Sequence, residues 1–226
     1  MKKLIYIFSF VLATTAIAQT NNTLEFEQER LQQALTYGDK AVAAVSMYNI
    51  IALEGPQSTY KDSLAYLYFN GRNYISCFLV LNDVLKNKPD NIELLEMKAI
   101  SLESMGVNEK AGETYNDLFL KTNNNYYAYK LAGLQLALNK FEEAYVSVKK
   151  ADELPDTGTI TVTFQVNKNY NQNVDLKAAI AYLEGIIAMK LEKNKEAKIS
   201  FERAVKLFPD FVLAKSKLST LETTEE

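Results

Sequence analysis

From about residue 25 the apolar positions recur at intervals of three and four, the spacing of one buried face of a helix. Leu64, Ala65 and Tyr68 share one such face, and Tyr74, Cys77 and Leu81 share a second. Gly71 falls between the two runs, where the chain has to turn back, and Pro89 follows the second because proline cannot continue a helix interior. The pattern therefore predicts an antiparallel helix pair ended by a proline. Such a pair buries only one side of itself and has to stack on neighbours.

The same pattern recurs along the chain. Gly38, Ala44, Tyr48 and Pro56, advanced by 33, become Gly71, Cys77, Leu81 and Pro89. Further copies carry Ala111 with Tyr115, then Ala144 with Val148 and Pro155, and last Ala197 with Phe201, Ala204 and Pro209. Five copies of a small residue followed four places later by a large one predict a helical repeat array. Its units are expected near 25–57, 58–91, 92–124, 125–155 and 178–211, all within one repeat domain over 19–226. Phe211, Ala214, Leu218 and Leu221 then continue at helical spacing towards an acidic end, which predicts a cap helix over 211–221 covering the last apolar face.

The period breaks once. Ala144 and Ala197 lie 53 apart, one repeat plus about 19 residues. Over the insertion, 156–175, Ile160, Val162, Phe164 and Val166 alternate with Thr161, Thr163 and Gln165, which is a strand pattern. Asn167-Lys168-Asn169 offers a turn and Tyr170 to Val174 a return strand, so a β-hairpin is expected. Two roles stay open for it: an edge that pairs with a partner strand, or filler across the groove or over a helix end. The run of Asn167, Asn169, Asn171, Asn173 and Asp175 lacks the spaced carboxylates of a calcium cage.

These features resemble the tetratricopeptide repeat family, whose unit of about 34 residues carries a small eighth residue, an alanine at the twentieth and a proline at the thirty-second. Ala65, Ala99, Ala132 and Gly185 match the eighth position; Gln32 departs from it, and Asn123 stands in place of one proline. The resemblance covers roughly residues 25–211 and implies an all-α, right-handed solenoid of about five helix pairs. It also implies that first helices line a concave surface for a protein or peptide. Carried over, its ligand-facing positions include Gln33 and Tyr37, then Asp62, Tyr66, Phe69 and Asn70, then Glu96, Ile100 and Glu103. Tyr126 and Tyr129 follow in the fourth unit, and Tyr182, Ile186 and Lys190 in the fifth. The lysine and asparagine clamp that some members use for a terminal carboxylate is absent, because Glu29, Gln33, Asp62 and Tyr66 occupy its places. The best groove candidates are Tyr66, Phe69, Asn70, Glu96, Tyr126, Tyr129, Tyr182 and Lys190. The alternative is a small-ligand or glycan module that stacks on Tyr66, Phe69, Tyr129 and Tyr182.

Composition narrows the chemistry. The 226 residues include no histidine and one cysteine, Cys77, so histidine-based nucleophile pairs and thiolate metal sites are excluded. The eight glycines never cluster into a phosphate loop. The chain is read as a non-enzyme needing no cofactor or metal. With 25 basic and 28 acidic residues and no basic block, a nucleic-acid partner is not expected.

Residues 1–18 read as a secretory signal peptide. Lys2 and Lys3 form the positive start, Leu4 to Leu12 the apolar stretch, and Ala16-Ile17-Ala18 the small residues of a cleavage site. No cysteine follows for lipid attachment. The expectation is export to the periplasm or beyond, without stable membrane insertion after cleavage; the alternative is anchoring by an uncleaved segment.

Overall fold

The computed structural model describes residues 23–155 and 160–224, and among these the chain is helical apart from one hairpin. The expected signal peptide lies outside the described residues. Helix α1 (23–36) is followed by α2 (Lys40–Glu54), α3 (Tyr60–Asn70), α4 (Tyr74–Val84), α5 (Ile92–Ser104) and α6 (Asn108–Thr122). After α7 (Asn125–Ala137) and α8 (Phe141–Glu153) come strands β1 (Thr161–Asn167) and β2 (Tyr170–Asp175). Helices α9 (Leu176–Lys190), α10 (Asn194–Leu207) and α11 (Val212–Thr224) end the order. The architecture is the expected helix-pair repeat with a strand insertion and a last single helix. Two compact bodies divide between Asn91 and Ile92, the first holding α1 to α4 and the second the rest.

One turn joins the two helices of every pair. The amide of Asp39 donates to the Ala34 carbonyl at 2.8 Å, and Asn73 to Tyr68, Val107 to Leu102, Lys140 to Gln135 and Lys193 to Ala188 do the same at 2.9 Å. This six-to-one bond closes a helix only if the residue before the donor is left-handed. That residue is Gly38 (φ 72°), Arg72 (57°), Gly106 (74°), Asn139 (59°) and Glu192 (59°) in turn. The equivalent of Gly38 is thus Arg72, not Gly71. Asp39 and Asn73 then cap the next helices, accepting from the amides of Val42 at 3.0 Å and Ser76 at 3.3 Å.

The same one-residue shift corrects the register of the first pair. Ala43 is fully buried and Met47 is 4% exposed, whereas Tyr48 is 50% exposed. Ala43, Cys77, Ala111, Ala144 and Ala197 form the small series, and Met47, Leu81, Tyr115, Val148 and Phe201 the large one, all buried. The eighth position of the first pair becomes the buried Leu31 in place of Gln32, and its groove positions move from Gln33 and Tyr37 to Gln32 and Thr36.

The hairpin is antiparallel, pairing Val162 with Val174 and Phe164 with Gln172, with an irregularity between Gln165 and Asn167. Its inner residues join the core of the second body. Val162 packs on the cluster containing Ala132, Val148 and Ile180. The Phe164 ring lies 5.4 Å from Tyr182 and 5.0 Å from Phe211. Gln172 donates to the Asp210 carbonyl at 2.5 Å and accepts from the Val212 amide at 3.1 Å, so the hairpin supplies a cap for α11. An ionic network holds α8, α9 and α10 around this insertion. Arg203 reaches Asp152 and Glu184, each at 2.5 Å, and Lys149 reaches Glu184 at 3.2 Å. Lys177 donates to the carbonyls of Asp152 and Leu154 at the end of α8, where a cation suits the helix dipole.

Two substitutions test this packing by urea denaturation. A Cβ at Gly185 would stand 2.5 Å from Phe201 Cε1, so Gly185→Ala should lose about 1–3 kcal/mol despite alanine's higher helix propensity. Glu192→Gly relieves a left-handed residue and should gain about 1 kcal/mol; a loss there would contradict the turn geometry.

Candidate functional site

The candidate residues divide between the two bodies. Tyr66, Phe69 and Asn70 lie on α3 in the first, with Tyr66 and Phe69 half-buried and Asn70 exposed. Phe69 meets the ring of Tyr74 edge-on at 6.1 Å, and the carboxylate of Asp62 is held by Lys88. Both side chains are therefore partly committed within the body.

In the second body the first helices of three pairs, α5, α7 and α9, bring chemistry together. Glu103 near the end of α5 accepts from Lys130 Nζ of α7 at 2.7 Å and from the Tyr115 hydroxyl of α6 at 3.0 Å. Lys130 Nζ also sits 5.5 Å from the centre of the Tyr115 ring. Beside this pair an open cleft of about 390 Å³ is lined by Glu103, Asn108, Tyr129, Lys130, Gly133 and Leu183, among others. Leu134 and Ala137 complete an apolar wall.

Tyrosines and carboxylates set the electrostatics. Tyr126 and Tyr127 have ring centres 5.7 Å apart, and Tyr115 lies 6.3 Å from Tyr127. Burial pushes the Tyr127 phenol up to about 12, and the neighbouring Glu96 carboxylate adds to the shift. Burial raises Tyr126 as well, with Glu96 and Glu103 contributing, and it raises Tyr129, with Tyr126 and Glu103 contributing. All stay neutral donors at physiological pH within a locally negative field.

Glu96, Tyr126 and Tyr129 thus cluster with Glu103, as their spacing in the repeat implies. Tyr182 stands next to Tyr129 and adds to the rise of its phenol, but its ring is mostly engaged elsewhere. Its ring packs against Phe164, against Phe201 at 5.7 Å and against Phe211 at 4.9 Å, which leaves it half-buried beside the hairpin. Lys190 is exposed in the last turn of α9 and does not line the cleft. The sequence alone did not single out Lys130, Tyr127 or Gly133. Lys130 and Tyr127 are adjacent to ligand-facing positions rather than at them, and Gly133 fills the ninth position without a side chain to draw notice.

Two further hollows, about 270 and 390 Å³, open between α6 and α8 and share Asn116, Leu131, Gln135 and Glu143. Among the described residues no cluster of acidic side chains and cysteine is arranged to hold a metal ion, and no helix is long and apolar enough to cross a membrane.

No family model matches the sequence, and no curated protein matches it. Solved structures do resemble the fold. MamA from Desulfovibrio magneticus RS-1 is 14% identical at a TM-score of 0.60, over 84% of this chain and 97% of that one. A tetratricopeptide repeat protein from Parabacteroides merdae is 16% identical at 0.62, over 88% and 72%. YrrB, described as a TPR protein with an unusual peptide-binding site, is 14% identical at 0.64, over 90% and 96%. At these identities the likeness concerns the fold alone, and that fold is a solenoid of tetratricopeptide-like helix pairs.

Proposed function

We infer that this chain is a non-catalytic scaffold that binds a protein or peptide segment on its first-helix face and works in the bacterial cell envelope. The observation that carries the reading is the open cleft between α5, α7 and α9, where a carboxylate, a lysine, phenols and an apolar wall converge. Mixed polar and aromatic surfaces of this kind suit extended chains, which offer backbone donors and varied side chains at short intervals. The peptide-binding site named for YrrB, a protein of similar fold, is consistent with this use.

The hairpin's inner face is engaged by the chain's own core, which favours the filler role over strand addition there. The glycan alternative is weakened because Tyr182, one of its four stacking platforms, is half-buried against three aromatic rings. Envelope location rests on the signal-like start: Lys2-Lys3, the apolar Leu4–Leu12 stretch and Ala16-Ile17-Ala18.

Both parts are open to test. The mature chain recovered from its source cells should begin at Gln19; a retained Met1 in the bulk of the protein would remove the export reading. A tagged chain, crosslinked in those cells, should capture a stoichiometric protein. Replacing Tyr126 and Tyr129 together with alanine should weaken that capture by at least about tenfold, since few interface residues carry most of the energy. Undiminished capture would place the contact elsewhere.

A further inference from the structure

Gly133 has no internal reason to be glycine. It lies within α7, and beyond its chain neighbours and the helix's own backbone no heavy atom comes within 4 Å of where its Cβ would stand. Gly185, by contrast, is required by the Phe201 ring against it, and a Cβ at Gly112 would meet Leu131 Cδ1 at 3.7 Å. Glycine inside a helix weakens it relative to alanine. What Gly133 provides is room in the cleft, beside Tyr129, Lys130 and Leu183.

The Glu103 carboxylate beside that space is only partly used. One oxygen accepts from Lys130 and the other from Tyr115, and the side chain remains 33% exposed. An ionised carboxylate offers about four acceptor positions, so about two remain. Glu103 and Lys130 are the charged residues that line the cleft, and of the two the carboxylate is the more exposed.

We propose that this cleft takes an arginine side chain of the bound segment, its guanidinium on Glu103 and the Tyr129 ring and its stem over Leu134 and Leu183. The inference rests on the first-helix binding face proposed above and specifies its ligand. A planar guanidinium suits two open acceptor positions and an aromatic face better than a compact ammonium does. A carboxylate ligand would find Lys130 already bound to Glu103. Burial is the main cause of the raised phenols of Tyr126, Tyr127 and Tyr129, and the neighbouring carboxylates add to it.

The test is an NMR titration of the whole protein, following the Gly133 amide. The probes are acetyl-Gly-Gly-Arg-Gly-Gly-amide and its counterparts with lysine, citrulline or glutamate in the central place. The arginine peptide should shift the Gly133 signal saturably and bind more tightly than the other three. Glu103→Gln, which keeps its hydrogen-bonding partners, should weaken it about tenfold, and Lys130→Gln should strengthen it several-fold. Gly133→Leu should abolish the shift at neighbouring Tyr129 while the fold is retained. Preference for the glutamate peptide, with the two charge variants acting in the opposite sense, would overturn the assignment, as would no saturable shift with any peptide. The captured partner separates this from the broader reading. If Tyr126→Ala with Tyr129→Ala releases it while Glu103→Gln and Gly133→Leu hold it, the binding face stands and the arginine pocket falls.

Discussion

The close approach of paired helices is the constraint on which the rest of this chain depends. In each pair a small residue of the second helix, from Ala43 through Cys77, Ala111 and Ala144 to Ala197, is entirely buried. A side chain larger than these would push the helices apart, and the turn between them could not follow. That turn has little freedom: three residues, one left-handed, tie each first helix to the next. Tolerating Arg72 and Glu192 in the left-handed place shows how firmly the surrounding bonds hold it, since such residues cost about 1–2 kcal/mol there.

The proposed binding face follows from that packing. Helix pairs bury one side of each first helix and leave the other to solvent, so chemistry collects where successive first helices align. In the second body this side carries Glu96, Glu103, Tyr126, Tyr129 and Lys130, while the hairpin packs against Tyr182 on the last pair. The insertion thus covers part of a position that the repeat pattern would leave open. It also caps α11 through Gln172, which couples the last helix to the hairpin.

Much of this was legible in the sequence because a repeat tests itself. The spacing of Cys77, Ala111, Ala144 and Ala197 gave the helix pairs, and the alternation from Ile160 to Val166 gave a strand. The first pair was harder: Ala43-Ala44 and Met47-Tyr48 each offer two acceptable fits, and only burial tells Ala43 and Met47 from their neighbours. The site was partly hidden for a different reason. Glu103 meets Lys130 across 27 positions and Tyr115 across 12, contacts that no local pattern encodes. The packing of Tyr182 on Phe164 and Phe211 was hidden as well, because one repeat rule does not describe the pair that carries the insertion. Gly133 contributes only the absence of a side chain, which becomes meaningful once the space around it is seen.

The central claim is that the first-helix face of the second body meets the partner. A photo-crosslinking residue placed at Tyr126 on that face, and in a second chain at the exposed Val146 of α8, compares it directly with the hollows between the second helices. Illumination in the source cells should join a protein partner to the chain substituted at Tyr126 and leave the one substituted at Val146 alone. Crosslinking confined to Val146 would contradict the account and move the binding surface to the groove between α6 and α8.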